Sequence, residues 1–412
     1  MKPAVAFFTD SFHEANGVAL TSREFDRFAH ARGLPFFSVH AGPVTKHHKD
    51  GAYESYEIAN SRATLRLGHD LFFDALFLRH RRRLVQALRE FRPDLVHVTG
   101  PGHCGLLGAI AAHDLGIPLV ASWHTNVHEF GARRLTKMLR RWPAGLRQRL
   151  PAFAERKSLD ITLWFYRKAR MLFAPNPELV CLLESRAGRP AHLMVRGVDI
   201  TLFSPNRRAR EDDELGIGEL VIGHVGRLSA EKNVRMLADL ERLLMEEGIA
   251  NYRFLVVGEG VERAWLREHL RRADLPGLLR GVPLAEAYAE MDVFVFPSET
   301  DTYGNVTTEA LASGVPAIVS AHGGPKFLVR EGVDGFVAAD AAGFARALMT
   351  LYRDRQLLAR MKQQAREAAE RKPWPAVFES IYENYERGFA TGVLPRAASS
   401  GAASGSPHSL VA

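Results

Sequence analysis

Two acidic residues near the start of a predicted helix could bind a hydroxyl-rich ligand. Asp301 and Glu309 have seven residues between them, and Gly304 lies where an apolar strand gives way to the helix. A helix start offers backbone N–H groups without intrahelical partners and a dipole that favours anionic oxygens. The two carboxylates can accept hydrogen bonds from sugar hydroxyls. Taken alone, however, a capping acid and a glutamate on a helix surface are a common structural pair.

Two cations elsewhere in the chain could bind a diphosphate. Arg227 and Lys232 fall on a predicted strand–helix loop in the segment Gly223–Asn233. Arginine presents a planar fork of donors and lysine a compact charge, and both bind phosphate oxygens. Isolated cations on a loop are usually solvated, but beside the acidic pair they indicate phosphate binding.

The elements that must position these groups alternate between strands and helices. The strands predicted in the first half are nearly continuous apolar runs, which is typical of parallel strands covered on both faces. These strands are Ala4–Thr9, Phe36–His40, Asp94–Thr99, Pro118–His124, Met171–Ala174 and His192–Arg196. The helices predicted between them are Val18–Ala31, Arg81–Phe91, Leu106–Leu115 and Pro177–Arg186. The alternation predicts an α/β, doubly wound architecture.

A second alternating series begins after the polar segment Asp199–Gly218, which is predicted to link two domains. Its predicted elements are strand Val221–Val225, helix Val234–Glu247, strand Phe254–Val257, helix Val261–Ala273, strand Val293–Pro297, helix Asn305–Ser313 and strand Ala317–Val319. Ala341–Glu370 and Trp374–Phe389 are predicted to be helical. Such sheets bind ligands at the carboxyl ends of their strands, so two opposed sheets would share one crevice.

The composition is that of a soluble globular enzyme, with 412 residues, 46% of them hydrophobic and 25% charged. No run of eighteen or more apolar residues occurs, and the short apolar run Ala4–Phe8 does not resemble a signal peptide. The two cysteines, Cys104 and Cys181, are far apart, which favours a reducing compartment. A cytoplasmic protein is therefore expected.

The full string Pro297–Pro316 resembles the acidic–seven–acidic signature of the family-4 glycosyltransferases. The segment Gly223–Asn233 resembles a second motif of that family. Asp301 is a departure, because the family commonly has Glu there, and the change keeps the charge but shortens the arm. The run Thr300–Val306 is similar to that of members that glycosylate lipids. The resemblance extends from the first strand to the helix at Trp374.

This resemblance implies an α/β, GT-B fold with two Rossmann-like, doubly wound domains that face each other across a cleft. The implied organisation is an N-terminal acceptor domain (1–198), a linker (199–218), a C-terminal nucleotide-sugar donor domain (219–372), a crossover helix that returns to the N-terminal domain (373–392) and a disordered tail (393–412).

The resemblance also implies a catalytic set of four side chains. Arg227 and Lys232 would stabilise the departing diphosphate. Asp301 would orient the transferred sugar, and His124, in Ser122–Asn126, would lie beside that sugar. The alternative for His124 is a buried core histidine with satisfied hydrogen bonds.

Further positions are implied to bind the donor. The backbone amides of Gly304, Asn305 and Val306 would orient the sugar, and Glu309 would bind the ribose. Gly17 would form a turn that lets the backbone approach the donor phosphates. The residues implied to line the base pocket are Gly258, Glu259, Gly281 and Val282.

No cofactor beside the substrate nucleotide sugar and no essential metal are expected, since no Asp-x-Asp motif stands where a metal-dependent transferase would need one. The pair His47-His48 is interpreted as part of a solvated loop rather than a metal site. Asp199, in the hinge motif Arg196–Asp199, is expected to have a structural role.

The predicted activity is retaining transfer of a hexose from a UDP- or GDP-linked sugar to a lipid acceptor. The basic segment Ala132–Leu150 favours a lipid, because it interleaves cations with apolar residues as interfacial helices on anionic membranes do. The residues predicted to contact membrane or acceptor are Arg133, Arg134, Lys137, Arg140, Arg141 and Trp142. The expected location is cytoplasmic and peripheral on the inner face of the membrane. The alternative for this segment is a solvated helix with one core stripe.

Three other functions stay open. The same chemistry could act on a soluble or polysaccharide acceptor. A nucleic-acid binder is suggested by the net charge of +7 and the arginine clusters, although no binding motif with interleaved aromatic residues occurs, so no nucleic-acid partner is expected. The third function is a catalytically inert sugar-nucleotide sensor. The nucleotide base, the hexose, the acceptor, the linkage and the oligomeric state are left open.

Overall fold

The computed structural model describes residues 2–14, 16–61, 64–66, 72–74, 76–124, 144–209 and 218–396. Two mainly parallel sheets organise these residues, and helices connect most of the successive strands. The predicted α/β class is confirmed.

The first sheet is formed by residues from the first half of the chain. Its strands are β1 (Val5–Thr9), β2 (Phe36–Gly42), β3 (Lys46–Asp50), β4 (Tyr53–Ala59), β7 (Leu95–Val98), β8 (Leu119–Ser122), β9 (Met171–Ala174) and β10 (Ala191–Leu193), while β5 (Thr64–Arg66) and β6 (Phe72–Asp74) form a separate antiparallel pair. The order is β10-β9-β8-β7-β1-β2-β4-β3. The edge strand β3 is antiparallel to β4, whereas β1 is parallel to both of its neighbours.

In the described part of this half of the chain, five helices connect the strands. They are α1 (Gly17–Ala31), α2 (Arg81–Phe91), α3 (His103–Leu115), α4 (Ala144–Tyr166) and α5 (Pro177–Ala187). Asparagine side chains cap two of them. Asn16 Oδ1 accepts hydrogen bonds from the amides of Val18 and Ala19, and Asn176 Oδ1 accepts one from Leu179.

The second sheet is entirely parallel in its described pairs. Its strands are β11 (Leu220–Val225), β12 (Tyr252–Val257), β13 (Ala273–Gly277), β14 (Val293–Phe296), β15 (Ala317–Ser320) and β16 (Gly335–Ala338). The order is β13-β12-β11-β14-β15-β16, so the direction of chain progression reverses at β11. Loops after β11 and β14 therefore leave neighbouring strands at the same edge, where open α/β sheets bind ligands.

The helices of this half are α6 (Met236–Glu246), α7 (Arg263–His269), α8 (Gly281–Ala289), α9 (Asn305–Ala312), α10 (Ala341–Arg353), α11 (Arg355–Glu370) and α12 (Trp374–Ala390). They cover both faces of the sheet. Ile222 is fully buried in one cluster with Leu237 of α6, whereas Val221 is buried in another with Tyr288 of α8. Burial of each aliphatic side chain stabilises the fold by about 1.5–3 kcal/mol.

The described residues fall into two compact units. One is drawn from Met1–Ala121, Lys168–Met171 and Tyr382–Ala412, and the other from Ser122–Arg167 and Leu172–Ile381. The predicted linker is described as far as Ala209, and the domain boundaries drawn from the sequence stay a prediction. Among the described helices, none has the length and apolar character needed to span a bilayer.

The predicted helix Val261–Ala273 is wrong over its last four residues. The helix ends at His269, and the chain then continues into β13. The cause is a distant carboxylate, because Glu241 accepts hydrogen bonds from the backbone amides of Arg271 and Arg272. Those amides are thereby removed from helical pairing.

The predicted loop around His47-His48 is also wrong, because both residues lie in β3. This strand pairs with β4 across a turn at Gly51, which has a φ of +58°. Every residue of β3 is exposed. A charged, exposed edge of this kind protects a sheet from pairing with other chains.

The predicted helical stretch Ala341–Glu370 is divided into α10 and α11 at Asp354. Asp354 Oδ1 accepts a hydrogen bond from the amide of Leu357 and so caps α11.

Candidate active site

Lys232 and Asp301 form a close ion pair at the edge of the second sheet. They follow β11 and β14, which are neighbours. Lys232 Nζ lies 2.6 Å from Asp301 Oδ1 and 2.7 Å from Oδ2, and Ser298 Oγ also donates to Oδ2. The two side chains are 20% and 21% exposed. A ligand can therefore still reach the pair.

Arg227 lies on the same loop as Lys232, with 43% of its side chain exposed. Its Nη1 is 3.7 Å from Glu231 Oε1, which is beyond hydrogen-bond distance. Exposed ion pairs of this kind contribute little to stability. With 43% of its side chain exposed, Arg227 is accessible to an anionic ligand.

Glu309 lies in the second turn of α9, and its Oε2 accepts a hydrogen bond from the Tyr288 hydroxyl at 2.8 Å. Although the residue as a whole keeps some exposure, its carboxyl group is desolvated. This burial raises the pKa of Glu309 from an ordinary 4.5 to about 7, and the Tyr288 hydrogen bond only partly offsets it. Hydrogen bonds from ligand hydroxyls would favour the ionised form.

Gly304 directly precedes α9 and has a left-handed conformation, with a φ of +94°. A Cβ atom there would come within 2.9 Å of Pro325 Cγ. Gly304 gives the helix no side-chain cap. The amides at the helix start, including those of Asn305 and Val306, can therefore bind an anionic or hydroxyl oxygen.

Three side-chain hydrogen bonds hold the loop that carries Asp301. Thr302 Oγ1 donates to the backbone oxygen of His124 at 2.8 Å. The Tyr303 hydroxyl donates to the backbone oxygen of Arg196 at 2.8 Å, and Asn176 Nδ2 donates to that of Thr302 at 2.7 Å. The loop is thereby positioned by segments that are distant in sequence.

The ring of His124 is buried and hydrogen-bonded on both nitrogens. Arg196 Nη2 lies 3.2 Å from His124 Nδ1, and Ser122 Oγ lies 2.7 Å from Nε2. Since a guanidinium can only donate, Nδ1 must accept and the neutral ring carries its proton on Nε2. This geometry supports the alternative that His124 is a buried core histidine with satisfied hydrogen bonds. The contact of His124 with a donor sugar stays a prediction.

Of the four positions predicted to line a base pocket, two follow β12 and two are the first residues of α8. Gly258 has a φ of +142°, and a Cβ atom there would clash with the backbone oxygen of Gly226. Glu259 follows it with its side chain half exposed. Gly281 and Val282 begin α8, and Val282 is 45% exposed. Their contact with a base stays a prediction.

Gly17 is the first residue of α1 rather than a turn glycine, and its φ is outside the left-handed region. It belongs to the other compact unit, so its role toward the donor stays a prediction. Asp199 Oδ1 accepts hydrogen bonds from the amides of Thr201 and Leu202, which supports its structural role. The six residues predicted to contact membrane or acceptor lie outside the described part of the chain: Arg133, Arg134, Lys137, Arg140, Arg141 and Trp142.

Two supports of the site were not predicted from the sequence. One is Tyr288, the partner of Glu309. The other is the pair Gly323-Gly324, where the amide of Gly324 donates to the backbone oxygen of Asp301 at 2.7 Å. A Cβ atom at Gly323 would come within 3.0 Å of the same oxygen. The signal that could have revealed this second support is a Gly-Gly-Pro sequence that is separated from the end of β15 by two residues.

Comparisons with known proteins show the family of this chain. A family model described as "Glycosyl transferases group 1" matches residues 219–354, and one described as "Glycosyltransferase Family 4" matches residues 44–202. GDP-mannose-dependent alpha-mannosyltransferase from Mycolicibacterium smegmatis is 35% identical over 318 residues, which span 74% of this chain and 76% of that protein. Sulfoquinovosyl transferase SQD2 from Arabidopsis thaliana is 30% identical over 73% of this chain and 58% of that protein.

Solved structures share the fold. Sucrose-phosphate synthase from Thermosynechococcus elongatus superimposes with a TM-score of 0.66 at 19% identity, covering 95% of this chain and 100% of that one. HepE from Anabaena, in complex with UDP and glucose, gives a TM-score of 0.63 at 18% identity over 93% and 99% of the two chains. The fold is therefore GT-B. With both family models matched and most of a relative aligned at 35% identity, the chain belongs to the family-4 glycosyltransferases and is a hexosyltransferase.

Proposed function

We propose that this enzyme moves a hexose from a nucleoside diphosphate sugar to a lipid at a membrane surface, with retention of the anomeric configuration. The Lys232–Asp301 ion pair, with Arg227 on the same loop, is the observation that carries the donor half. GDP-mannose is the first donor to test, because three relatives named as GDP-mannose-dependent are 30–35% identical. UDP sugars come second, since the similar fold of HepE binds UDP and glucose.

Different groups at the edge of the second sheet bind different parts of the donor. Arg227 and Lys232 place two positive charges where β11 ends, and these neutralise the diphosphate. Asp301 and the amides at the start of α9 bind the hexose. Glu309 accepts hydrogen bonds from the ribose.

The chemistry needs no covalent enzyme intermediate. The bond between the sugar C1 and the phosphate oxygen breaks, and the acceptor oxygen bonds to C1 on the same face. The acceptor proton passes to the leaving phosphate oxygen. Arg227 and Lys232 stabilise the negative charge that develops on that phosphate, which lowers the barrier electrostatically.

The lipid half of the proposal is supported by an exposed apolar stripe on α4. Phe153, Ile161 and Trp164 are 61%, 69% and 57% exposed, and their spacing places them along one helix face. Lys157 lies within the same stretch, with Nζ 5.8 Å from the Phe153 ring centroid. Aromatic and aliphatic side chains beside lysine are typical of a helix that lies on an anionic membrane. The basic segment 132–150 precedes this stripe in sequence.

A turnover assay tests the donor half. The wild-type protein is incubated with GDP-mannose or UDP-glucose and a lipid extract, and the release of nucleoside diphosphate is measured. Arg227→Ala should lower the rate by at least about 100-fold, because it removes charge stabilisation from the transition state. Arg242→Ala is the matched control, since Arg242 is an exposed cation of α6 that pairs with Glu246. Full activity in Arg227→Ala contradicts the assignment.

Retention is tested separately. Proton NMR of the product formed from an α-linked donor should show the α anomer. A β-linked product rules out the same-face scheme but leaves the donor site unaffected.

The acceptor class is tested by the double charge reversal Arg140→Glu and Arg141→Glu. Loss of activity on lipid in vesicles, with activity on a detergent-dispersed acceptor preserved, supports a membrane-bound acceptor. Unchanged activity on both favours the soluble or polysaccharide acceptor instead.

A further inference from the structure

A cluster of polar side chains, none of them assigned to the donor, lies in the first compact unit. It consists of His13, His40 and Glu57. We infer that these three side chains form a binding site for one divalent transition-metal ion such as Zn²⁺.

The first sheet brings two of the ligands together by its strand register. His40 of β2 and Glu57 of β4 are direct partners in the parallel pairing, so their side chains leave the same face of the sheet. His13 lies in the loop after β1, and the last residue of β1, Thr9, is paired with His40. Three separate segments of the chain therefore converge on one point.

The distances suit a metal ion better than a hydrogen bond. One ligand atom from each of the three residues lies within 4.8 Å of the others. His13 Nε2 and Glu57 Oε1 are 3.4 Å apart. This exceeds the usual length of a hydrogen bond. Two ligands on a tetrahedral zinc ion with bonds of about 2.0–2.1 Å are separated by about 3.3 Å.

Two buried polar atoms of the cluster make no hydrogen bond within the part of the chain that is described. His40 is only 4% exposed, and its Nδ1 accepts and donates no hydrogen bond there. Glu57 Oε1 likewise makes no hydrogen bond there. The Glu57 carboxylate fills the space that a Cβ atom of Gly42 would take. A buried polar group that makes no hydrogen bond costs free energy. A bound cation would remove part of that cost.

The ligand set also indicates the chemical class of the ion. Two imidazoles and one carboxylate suit Zn²⁺, Co²⁺ or Ni²⁺, whereas Mg²⁺ and Ca²⁺ prefer oxygen ligands. The Phe12 ring stacks on His40 at 3.9 Å and fixes its orientation. His13 is 51% exposed, so an ion can enter from solvent. Three protein ligands leave a fourth position for water or a substrate oxygen.

Cobalt titration of the untagged, full-length protein tests the site. After dialysis against a chelator, CoCl₂ is added and the d–d absorption of bound Co²⁺ is recorded, and ZnCl₂ binding is measured by calorimetry. The wild-type protein should bind one Co²⁺ with a tetrahedral spectrum. His13→Gln and Glu57→Gln should each weaken binding by at least tenfold.

His47→Gln is the matched control, because His47 also contacts a glutamate, Glu54, across neighbouring strands of the same sheet. It should bind cobalt as the wild-type protein does. Since His13 is half exposed, His13→Gln is expected to fold even if Glu57→Gln does not, and circular dichroism checks this.

The inference is overturned if folded wild-type protein binds neither ion, or if His13→Gln binds as tightly as wild type. Arg227→Ala should bind cobalt normally, so this test is independent of the proposed transferase mechanism.

Discussion

At the scale of single residues, Glu309 has a charge that changes near neutral pH, because burial raises its pKa to about 7. The folded protein keeps this proton up to about pH 7, whereas the unfolded chain loses it near pH 4.5. The folded state therefore binds more protons between these values, and the contribution of Glu309 to stability falls as the pH rises through this window. Ribose hydroxyls would favour the ionised form, so nucleotide binding should strengthen over the same interval.

Calorimetry with GDP and UDP between pH 5.5 and 8 measures this effect. The wild-type affinity should rise by up to about tenfold per pH unit below pH 7 and then level off. Glu309→Gln should show only the smaller slope that comes from ionisation of the nucleotide itself. Equal slopes in the two proteins would show that Glu309 does not bind the ribose.

His124 offers a second test at the residue scale, because positioning and sugar binding make different predictions. His124→Ala removes a hydrogen-bond acceptor from the buried guanidinium of Arg196, which should lower the free energy of unfolding by about 1–3 kcal/mol. Gln has an acceptor and a donor, so His124→Gln should recover most of that stability. If His124 only positions the loop at Thr302, His124→Gln also recovers the catalytic rate. A stable His124→Gln variant with a greatly reduced rate and an unchanged melting temperature supports the sugar contact instead.

At the scale of elements, the loops after β11 and β12 depend on a close approach of their backbones. Gly258→Ala should destabilise the protein by at least about 2 kcal/mol and weaken nucleotide binding, because its Cβ atom would clash with the backbone oxygen of Gly226. Gly281→Ala is the control within the same predicted pocket. It shares a positive φ but has open space around its Cβ position, so it should cost only about 1–2 kcal/mol. Chemical denaturation measures both, and equal losses contradict the role given to the close approach.

The elements also show how far the sequence could predict this molecule. Continuous apolar runs such as Val293–Phe296 predicted the parallel strands, because both faces of these strands are buried. The end of α7 could not be predicted, since it depends on Glu241 of another helix. Strand β3 was missed because its residues are all exposed and carry no apolar alternation.

The same distinction applies to the candidate site. Arg227, Lys232 and Asp301 could be proposed from the sequence because they stand in local motifs that resemble those of a known family. Tyr288 was not, because a hydrogen bond between neighbouring helices leaves no local pattern in the sequence. The residues that support a site act through long-range contacts, whereas its reactive groups stand in local sequence motifs.

For the whole molecule, the proposed lipid acceptor requires that the enzyme bind a membrane surface, and the exposed stripe on α4 is the proposed contact. Replacing Ile161 and Trp164 with Gln removes two large apolar side chains that are 69% and 57% exposed. Burial of such side chains contributes about 1.5–3 kcal/mol each, so the double variant should bind vesicles at least tenfold more weakly. Val261→Gln is the control, because Val261 is 85% exposed and lies in the loop between β12 and α7. Sedimentation with phosphatidylglycerol vesicles and with neutral phosphatidylcholine vesicles measures the effect. Wild-type protein and Val261→Gln should sediment with the anionic vesicles alone and should be released by high salt, since Debye screening weakens attraction between surface charges. Equal recovery with both kinds of vesicle, or unchanged binding by the double variant, contradicts a membrane role for α4.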